Sequence, residues 1–381
     1  MKKRLTAIIL CAAALLVMTA CSAAKGSSLE ERDKDISPEL EYEYSMDLSY
    51  AEEFAVDYYK GDYALITISD DARYLLIPEG KEAPEDMDKD IVLLYAPIDN
   101  IYLVASAVMD MFVALDGLDS IKFSALKEDS WYIKEAKKAM SDGDILYAGK
   151  YSAPDYEQIL EGDCGLAVEN TMIYHTPEVK EQLEKFGIPV IVDYSSYEKN
   201  PLGRTEWVKL YGLLIGKNKE AEAAFEAEKA AFEAVSGAEQ TGKTVSFFYI
   251  TVNGEVNVRR PSDYLPKMIE MAGGKYIIQQ QKDDESKSST MSMQMEEFYA
   301  QAKDADYMIY NSTIDGEIAS IDELTEKNSL LKNFKAVKDK NVYCTTKNLY
   351  QSTMELGTII ADIHGMLNGN DDDLTYLYKL E

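Results

Sequence analysis

Short apolar runs alternate with segments of helical periodicity over most of the chain, first between residues 91 and 192 and again between 244 and 367. In the first stretch the expected strands are 91–95, 121–123, 145–148, 166–168 and 189–192, and the expected helices are 99–116 and 177–186. Strands that alternate with helices form βαβ units, which build a largely parallel sheet covered by helices. The pattern therefore predicts an α/β fold.

A long helical segment over residues 218–237 separates the two stretches. Asn218 can cap its first turn, and Phe225, Phe232 and Val235 lie on one stripe. In the second stretch the expected strands are 244–251, 307–310 and 341–343, the expected helices are 263–272, 295–303 and 353–367, and residues 282–292 are expected to form a mobile loop. We therefore predict two Rossmann-like lobes joined by a single long helix, with a ligand cleft between the lobes where strand-end loops converge.

The amino-terminal region has a different pattern. Lys2, Lys3 and Arg4 precede an apolar stretch that is too short to cross a membrane comfortably, as in an export signal. Polar residues without periodicity follow, and aromatic and β-branched runs between residues 50 and 77 then predict a small antiparallel meander. The expected boundaries are a signal peptide over 1–20, a flexible tether over 21–45, an amino-terminal lobe over 46–217, a connecting helix over 218–237 and a carboxy-terminal lobe over 238–381.

The charge balance limits the choice of partner. The chain carries 39 basic and 68 acidic residues, a formal charge of −29 at pH 7. Residues 1–20 hold three of the basic residues and none of the acidic ones, so the rest has 36 against 68, or −32. Such a charge keeps an exported protein soluble and argues against nucleic acid or an anionic lipid surface as a partner.

Few side chains suit a bare metal ion. Apart from Cys11 and Cys21, the cysteines are Cys164 and Cys344, which have no CxxC spacing and are interpreted as small buried residues, with a disulfide or metal pair as the alternative. The only histidines are His175 and His364. Several imidazoles or thiolates usually hold a transition ion. We therefore predict no metal site and no intrinsic cofactor.

One nucleotide-binding motif is present in letters only. Residues 237–244 read GAEQTGKT, which fits the Walker A pattern. A phosphate loop must leave a strand and open a helix, whereas here a helix is expected before the motif and a strand after it. The motifs GxSxG, HExxH and GxGxxG are absent from the sequence. The sequence therefore predicts a protein that is not an enzyme.

Several segments resemble a known class of binding proteins. Residues 18–21, MTAC, resemble the lipobox of bacterial lipoproteins, in which the cysteine receives the lipid. PDYEQIL at 154–160, NPLGRTEW at 200–207, DYLPKMIEMAGG at 263–274 and AVKDKNVY at 336–343 resemble, in the same order, segments of the binding proteins that serve siderophore, haem and cobalamin importers. Gly165 departs from the pattern, because that family usually has an aspartate there.

The resemblance implies a function and partners. The chain is identified as a member of this substrate-binding lipoprotein family, lipid-anchored through Cys21 outside the cytoplasm and expected to be a monomer. Its partners would be an ABC permease with its ATPase. By resemblance, Glu157 and Glu296, or Glu297 in place of the latter, would meet arginines of the permease. The expected ligand is an iron chelate such as a siderophore, a haem or a corrinoid.

Strand-end loops supply the candidate ligand-binding residues. A bulky chelate needs flat apolar walls and a few fixed charges, and the 27 tyrosines are a source of such walls. In so acidic a chain, two adjacent arginines indicate an anionic ligand group, with surface salt bridges as the alternative. The rival function is an exported α/β enzyme such as a hydrolase, and a surface adhesin is disfavoured by the two-lobe pattern. For the binding function, the candidate ligand-binding residues are Asn170, Thr171, Tyr174, Tyr194, Tyr197, Arg259, Arg260, Lys347 and Tyr350.

Overall fold

In the computed structural model the chain forms three main β-sheets, one ahead of the two lobes and one in each lobe. The described residues are 29, 32–69, 71–235, 239–279 and 288–381. The signal peptide expected over 1–20 and the expected lipid acceptor, Cys21, lie outside them. The prediction of an α/β fold with two lobes is confirmed.

The first sheet, which we call the appended sheet, is an antiparallel meander with one parallel strand at its end. Its strands, in spatial order, are β1 (Tyr42–Ser45), β2 (Phe54–Tyr59), β3 (Tyr63–Ile68), β4 (Arg73–Ile77) and β5 (Ile91–Tyr95). The predicted meander is confirmed for β2 to β4. The prediction that 91–95 begins the alternating lobe is wrong, because β5 pairs with β4 instead.

Both faces of the appended sheet are covered, which explains its nearly continuous apolar strands. Val56 and Ile66 face the core of the amino-terminal lobe, whereas Leu65 and Leu75 pack with Ile36 on the other face. Ile36 is only 2% exposed. The expectation of a flexible tether up to residue 45 is therefore wrong from residue 32 onward, because long-range packing that the local sequence does not show holds this segment.

The sheet of the amino-terminal lobe is parallel, in the order β12-β11-β6-β7-β8. The helix predicted over 99–116 is wrong at its start, because residues 101–103 are fully buried and form a central strand. The strands of the lobe are β6 (Ile101–Leu103), β7 (Ile121–Ser124), β8 (Leu146–Tyr147), β9 (Gly149–Lys150), β10 (Ala153–Pro154), β11 (Ala167–Asn170) and β12 (Val190–Asp193). Its helices are α1 (Met109–Ala114), α2 (Lys134–Asp142), α3 (Tyr156–Glu161), α4 (Pro177–Lys185), α5 (Pro201–Glu206) and α6 (Val208–Leu214).

Helix α7 (Asn218–Val235) connects the lobes. It contacts α6 of the first lobe and α13 of the second. Phe225 belongs to the core of the amino-terminal lobe and Phe232 to that of the carboxy-terminal lobe. The single apolar stripe that the sequence shows is therefore divided between two cores.

The sheet of the carboxy-terminal lobe has the order β16-β14-β13-β17-β18-β19, with β15 beside β13. The loop predicted over 282–292 is wrong at its end, because residues 290–293 form strand β16 against β14. The strands are β13 (Thr244–Ile250), β14 (Val256–Arg259), β15 (Lys275–Tyr276), β16 (Thr290–Met293), β17 (Tyr307–Tyr310), β18 (Val342–Thr345) and β19 (Leu377–Lys379). The helices are α8 (Tyr264–Met271), α9 (Met295–Ala302), α10 (Ser312–Asp315), α11 (Ile321–Lys327), α12 (Lys335–Lys338) and α13 (Leu356–Asn368).

Residues 351–357, which we call the interlobe seam, join the carboxy-terminal lobe to the rest. The side chain of Gln351 accepts a hydrogen bond from the Tyr132 backbone N–H at 2.8 Å. The backbone N–H of Met354 donates to Asp110 at 2.7 Å, and that of Gly357 donates to Glu228 of α7 at 2.7 Å. The lobes are thus held together by hydrogen bonds as well as by the helix.

Candidate functional site

A cavity of about 740 Å³, which we call the interlobe cavity, lies between the two lobes. Thr171 and Tyr194 reach it because they directly follow the parallel strands β11 and β12. Side chains from both lobes and from the appended sheet line it, and most of them carry hydroxyl groups. The lining comprises Glu53, Ser69, Thr171, Tyr174, Tyr194, Ser196, Tyr197, Glu198, Lys199, Ser262, Asp263, Ser288 and Ser289.

Three tyrosines form the aromatic part of this cavity. The Tyr194 hydroxyl donates a hydrogen bond to the Tyr174 hydroxyl at 3.0 Å, and their ring centroids are 6.4 Å apart. The rings of Tyr194 and Tyr197 are 5.4 Å apart. Tyr174 remains 45% exposed. The cluster therefore offers apolar ring surface and hydroxyl groups to a ligand.

A second cavity of about 240 Å³, the arginine pocket, lies in the carboxy-terminal lobe. Arg259, at the end of β14, is 9% exposed, and its guanidinium lies 4.9 Å from the ring centroid of Tyr350 and 5.6 Å from that of Tyr264. Its Nε has no hydrogen-bond partner among the described residues. The lining comprises Phe247, Tyr249, Asn257, Val258, Arg259, Thr290, Asn311, Ile314 and Tyr350.

Arg259 also lies between the two cavities. Its Nη1 lies 3.2 Å from the Ser289 hydroxyl and 3.5 Å from the Asp263 carboxylate, and both of these residues line the interlobe cavity. The two cavities therefore share a wall at Arg259. A ligand that fills both would meet one buried cation between aromatic rings.

The electrostatics keep this arginine charged. Burial opposes its charge, but Asp263 and the neighbouring tyrosines raise the pKa of Arg259 above its ordinary value. Burial likewise raises the pKa of Tyr350 to about 12, so its hydroxyl stays protonated at neutral pH. Burial raises the pKa of Glu198 to about 7, although the backbone N–H of Glu52 acts in the opposite direction.

The structure brings six of the nine predicted ligand residues to the two cavities. Thr171, Tyr174, Tyr194 and Tyr197 line the interlobe cavity, and Arg259 and Tyr350 line the arginine pocket.

Three predicted residues lie outside the lining of both cavities. Asn170 accepts a hydrogen bond from the Met172 N–H at 2.9 Å and so caps a turn. The Lys347 ammonium lies 3.7 Å from Glu317, and Arg260 is 6% exposed.

Sequence reasoning missed other lining residues. Asn311 directly follows strand β17, so the strand-end rule that selected Thr171 applies to it equally. Ser288 and Ser289 fall in the segment expected to be a mobile loop. Glu53 directly precedes β2 and Ser69 directly follows β3 of the appended sheet, whose approach to the cleft depends on tertiary packing that no local pattern shows.

The two candidate docking residues occupy matching positions. Glu157 lies in the first turn of α3, and Glu296 lies in the first turn of α9. Both side chains are exposed, as is that of Glu297. They are thus accessible on separate lobes.

The remaining side chains that could take part in chemistry are two cysteines and two histidines. Cys164 and Cys344 are free thiols. The His364 ring lies 3.1 Å from the Ala272 carbonyl, and His175 is exposed at the surface. Over the described residues, no three or more His, Cys, Asp or Glu side chains gather as metal ligands would, and no helix has the length and apolarity needed to cross a membrane.

Comparisons with known proteins agree with this architecture. A family model described as periplasmic binding protein matches residues 101–349. An uncharacterised lipoprotein of Methanocaldococcus jannaschii is 25% identical over an alignment of 401 positions, covering 97% of this chain and 93% of that protein.

Solved structures of low identity share the fold. A periplasmic haem-binding protein of Vibrio cholerae has a TM-score of 0.56 at 15% identity and covers 69% of this chain and 98% of that chain. An ABC-type Fe³⁺-hydroxamate transport protein of Saccharomonospora viridis has a TM-score of 0.55 at 17% identity and covers 71% of this chain and 93% of that chain. Because the family model spans more than half of the sequence, the chain belongs to the periplasmic binding protein family.

Proposed function

We propose that this protein is an extracytoplasmic solute-binding lipoprotein that binds an iron chelate, a haem or a corrinoid and delivers it to an ABC importer. Family membership supports the binding role, and the haem-binding and Fe³⁺-hydroxamate proteins of the same fold support the ligand class. An exported hydrolase would need a tuned acid and base pair beside a bound substrate. Turnover of the bound compound by the pure protein would favour that rival.

The observation that carries the proposal is the buried Arg259 between the rings of Tyr264 and Tyr350, on the wall shared by two cavities. A buried guanidinium flanked by aromatic rings suits the anionic oxygens of a bulky, flat or polycyclic chelate. The tyrosine cluster on the opposite lobe supplies apolar ring surface. A bare metal ion would find few ligands in such a site, so the metal would arrive already chelated.

The test is titration of the purified protein with ferric hydroxamates, haem and cobalamin, followed by tyrosine and tryptophan fluorescence. We expect at least one to bind. Arg259→Ala should weaken that binding by about tenfold to a hundredfold, since hydrogen bonds to charged groups contribute about 1.5–3 kcal/mol. Arg259→Lys should restore only part of the affinity, because an ammonium cannot donate in the same planar geometry.

Lys347→Ala is the matched control, because Lys347 lies in the same lobe but outside both cavities. The affinity of the Lys347→Ala protein for the bound chelate should equal that of the parent protein. Tight binding of a sugar, a peptide or a bare ion, with no chelate bound, would contradict the ligand class and leave the transport role in place.

We also propose that Cys21 carries the lipid anchor, which rests on the lipobox-like residues 18–21 and on the lipoprotein relative. Cys21→Ser should move the protein from the membrane fraction to the aqueous fraction, because a lipid chain provides the attachment. Mass spectrometry of the native protein should show the added diacylglycerol. Cys164→Ser should leave the protein in the membrane fraction. Retention of the Cys21→Ser protein in the membrane, with no lipid mass on the native protein, would contradict the assignment.

A further inference from the structure

Two buried glutamates hold the segment that leads into β2 of the appended sheet. Glu206 accepts hydrogen bonds from the backbone N–H groups of Ser49, Tyr50 and Ala51 at 3.0, 2.8 and 2.9 Å. Glu198 accepts from Glu52 at 2.9 Å and from Glu53 at 3.0 Å. Two side chains thus bind the backbone N–H groups of five consecutive residues, because each oxygen of a carboxylate can accept more than one hydrogen bond.

The segment that leads into β2 also packs closely against helix α5. A Cβ on Gly203 of α5 would lie 2.7 Å from the Tyr50 carbonyl oxygen, so only glycine permits this approach. The Trp207 indole donates to Glu198 at 2.9 Å, and its ring centroid lies 4.9 Å from that of Phe54 in β2. The appended sheet is therefore packed closely against the amino-terminal lobe.

This attachment places the appended sheet beside the interlobe cavity. Glu53 and Ser69 both line the interlobe cavity, and the Ser69 backbone N–H donates to the Glu53 carbonyl at 3.0 Å. The sheet precedes residues 101–349, which the family model matches. The appended sheet therefore adds a wall to the cleft from outside the matched region.

Glu53 gives that wall a charge. No hydrogen bond or ion pair joins its carboxylate to another of the described residues, whereas the Glu198 carboxylate in the same lining accepts a hydrogen bond from the Trp207 indole. The nearby Lys199 does not neutralise it, because its ammonium lies 3.4 Å from Glu52 instead. A third lining carboxylate, Asp263, lies 3.5 Å from Arg259, and most of the remaining lining consists of hydroxyl groups. Glu53 is therefore a lining carboxylate without a partner among the described residues, whereas on the opposite lobe the Asp263 carboxylate is paired with Arg259.

We propose that the appended sheet completes the ligand cleft and that Glu53 is a specificity-determining residue, which favours chelates that carry a positively charged group, in addition to the anionic oxygens that Arg259 would bind, over chelates that lack one. This inference rests on the proposed function, since it names the charge of the chelate that the site prefers. The physical reason is that an unpartnered carboxylate in a partly enclosed cavity attracts a cation and repels an anion more strongly than it would in open water.

The test compares three probes that differ in charge. Ferrioxamine B is a ferric trihydroxamate with a protonated amine, its N-acetylated form is neutral, and haem carries two propionates. Affinities are measured for the parent protein, for Glu53→Gln and for Glu43→Gln, a control on the exposed face of β1. Glu53→Gln should weaken ferrioxamine B by about tenfold, leave the acetylated chelate unchanged within about twofold and tighten haem. Glu43→Gln should match the parent for every probe.

The outcomes separate this inference from the function on which it rests. If chelates bind and Glu53→Gln changes none of their affinities, or changes all of them equally, the specificity role of Glu53 is overturned while the chelate-binding function stands. If none of these probes binds the parent protein, this inference is overturned, and if cobalamin does not bind either, the proposed ligand class falls as well. A tighter haem complex in Glu53→Gln supports the inference even where the ferrioxamines do not bind.

Discussion

Glu169, in strand β11, is a buried acid without a partner. Its side chain has no exposed surface, and neither carboxylate oxygen has a hydrogen-bond partner among the described residues. Burial raises the pKa of Glu169 from 4.5 to about 8. The unfolded chain loses this proton near pH 4.5 and the folded chain keeps it up to about pH 8, so this group stabilises the fold below pH 4.5 and its contribution is lost as the pH rises to about 8.

Replacing Glu169 with Gln should remove that pH dependence. Relative to the parent, Glu169→Gln should gain free energy of unfolding by roughly 1 kcal/mol for each pH unit between about pH 5 and pH 8. Urea unfolding of both proteins across this range measures the difference. The titration of the other buried acids is common to both proteins and therefore cancels in the difference between their free energies of unfolding.

Glu157→Gln, on an exposed neighbouring helix, is the control and should follow the parent at every pH. Parallel stability curves for the parent and Glu169→Gln would show that the buried carboxyl is not the source.

Single residues also show what the sequence can reveal about a site. Thr171 and Tyr194 are predictable because parallel strands end at the same edge of a sheet. Gly165 departs from the family pattern, and the structure supplies a reason: a Cβ there would lie 2.6 Å from the Asp99 carbonyl oxygen. The alternative that the arginine pair forms surface salt bridges fails for Arg259, which is buried between rings. Glu53 has no such local signal.

At the scale of elements, a buried ion pair joins the segment before β1 to the appended sheet. The Arg32 guanidinium donates to both carboxylate oxygens of Asp57 in β2, at 2.6 and 2.7 Å, and Asp57 has no exposed surface. The Ser45 hydroxyl donates to the same carboxylate at 2.5 Å. Lys34 also lies 3.5 Å from this carboxylate, but its side chain is more exposed than that of Arg32, so removing Arg32 leaves a buried charge only partly compensated.

Arg32→Met should therefore lower the free energy of unfolding by about 3 kcal/mol, measured in urea. It should also expose residues 32–45 to limited proteolysis, because the ion pair holds this segment on the sheet. Lys60→Met breaks an exposed pair with Glu41 in the same sheet and should cost less than about 1 kcal/mol. Equal costs for the two variants would contradict the anchoring role of Arg32.

The strands and helices that the sequence predicted well are those with a clear local period. Strands β13 and β17 and helix α4 match their apolar runs and stop signals. The sequence pattern predicts a helix at residues 101–103 because a short buried strand and a helical turn look alike over three residues. Strand β16 is polar on its outer face and becomes a strand only by pairing with β14. Pairing partners far apart in sequence are what the local pattern cannot show.

At the scale of the whole molecule, each lobe carries an exposed glutamate that we propose as a docking residue. The double charge reversal Glu157→Lys with Glu296→Lys should abolish uptake in cells but leave ligand affinity unchanged, because both side chains lie on the surface outside the two cavities. Uptake of a radiolabelled chelate and titration of the purified variant measure the two effects.

The matched control reverses two other exposed helical glutamates, Glu178 of α4 and Glu326 of α11, and should transport normally. If Glu157→Lys with Glu296→Lys still transports while Glu157→Lys with Glu297→Lys does not, the second docking residue is Glu297. Transport by both double variants would refute the assignment.

We expect the interlobe seam to determine how the protein unfolds on heating. The backbone N–H groups of Met354 and Gly357 donate to carboxylates of the amino-terminal lobe and of α7, so opening either lobe would leave Asp110 or Glu228 without its donor. Two domains that share few contacts unfold independently, each at its own temperature. Here the loss of one lobe removes support from the other, so calorimetry should record a single heat-absorption peak, and Glu228→Ala should split it in two.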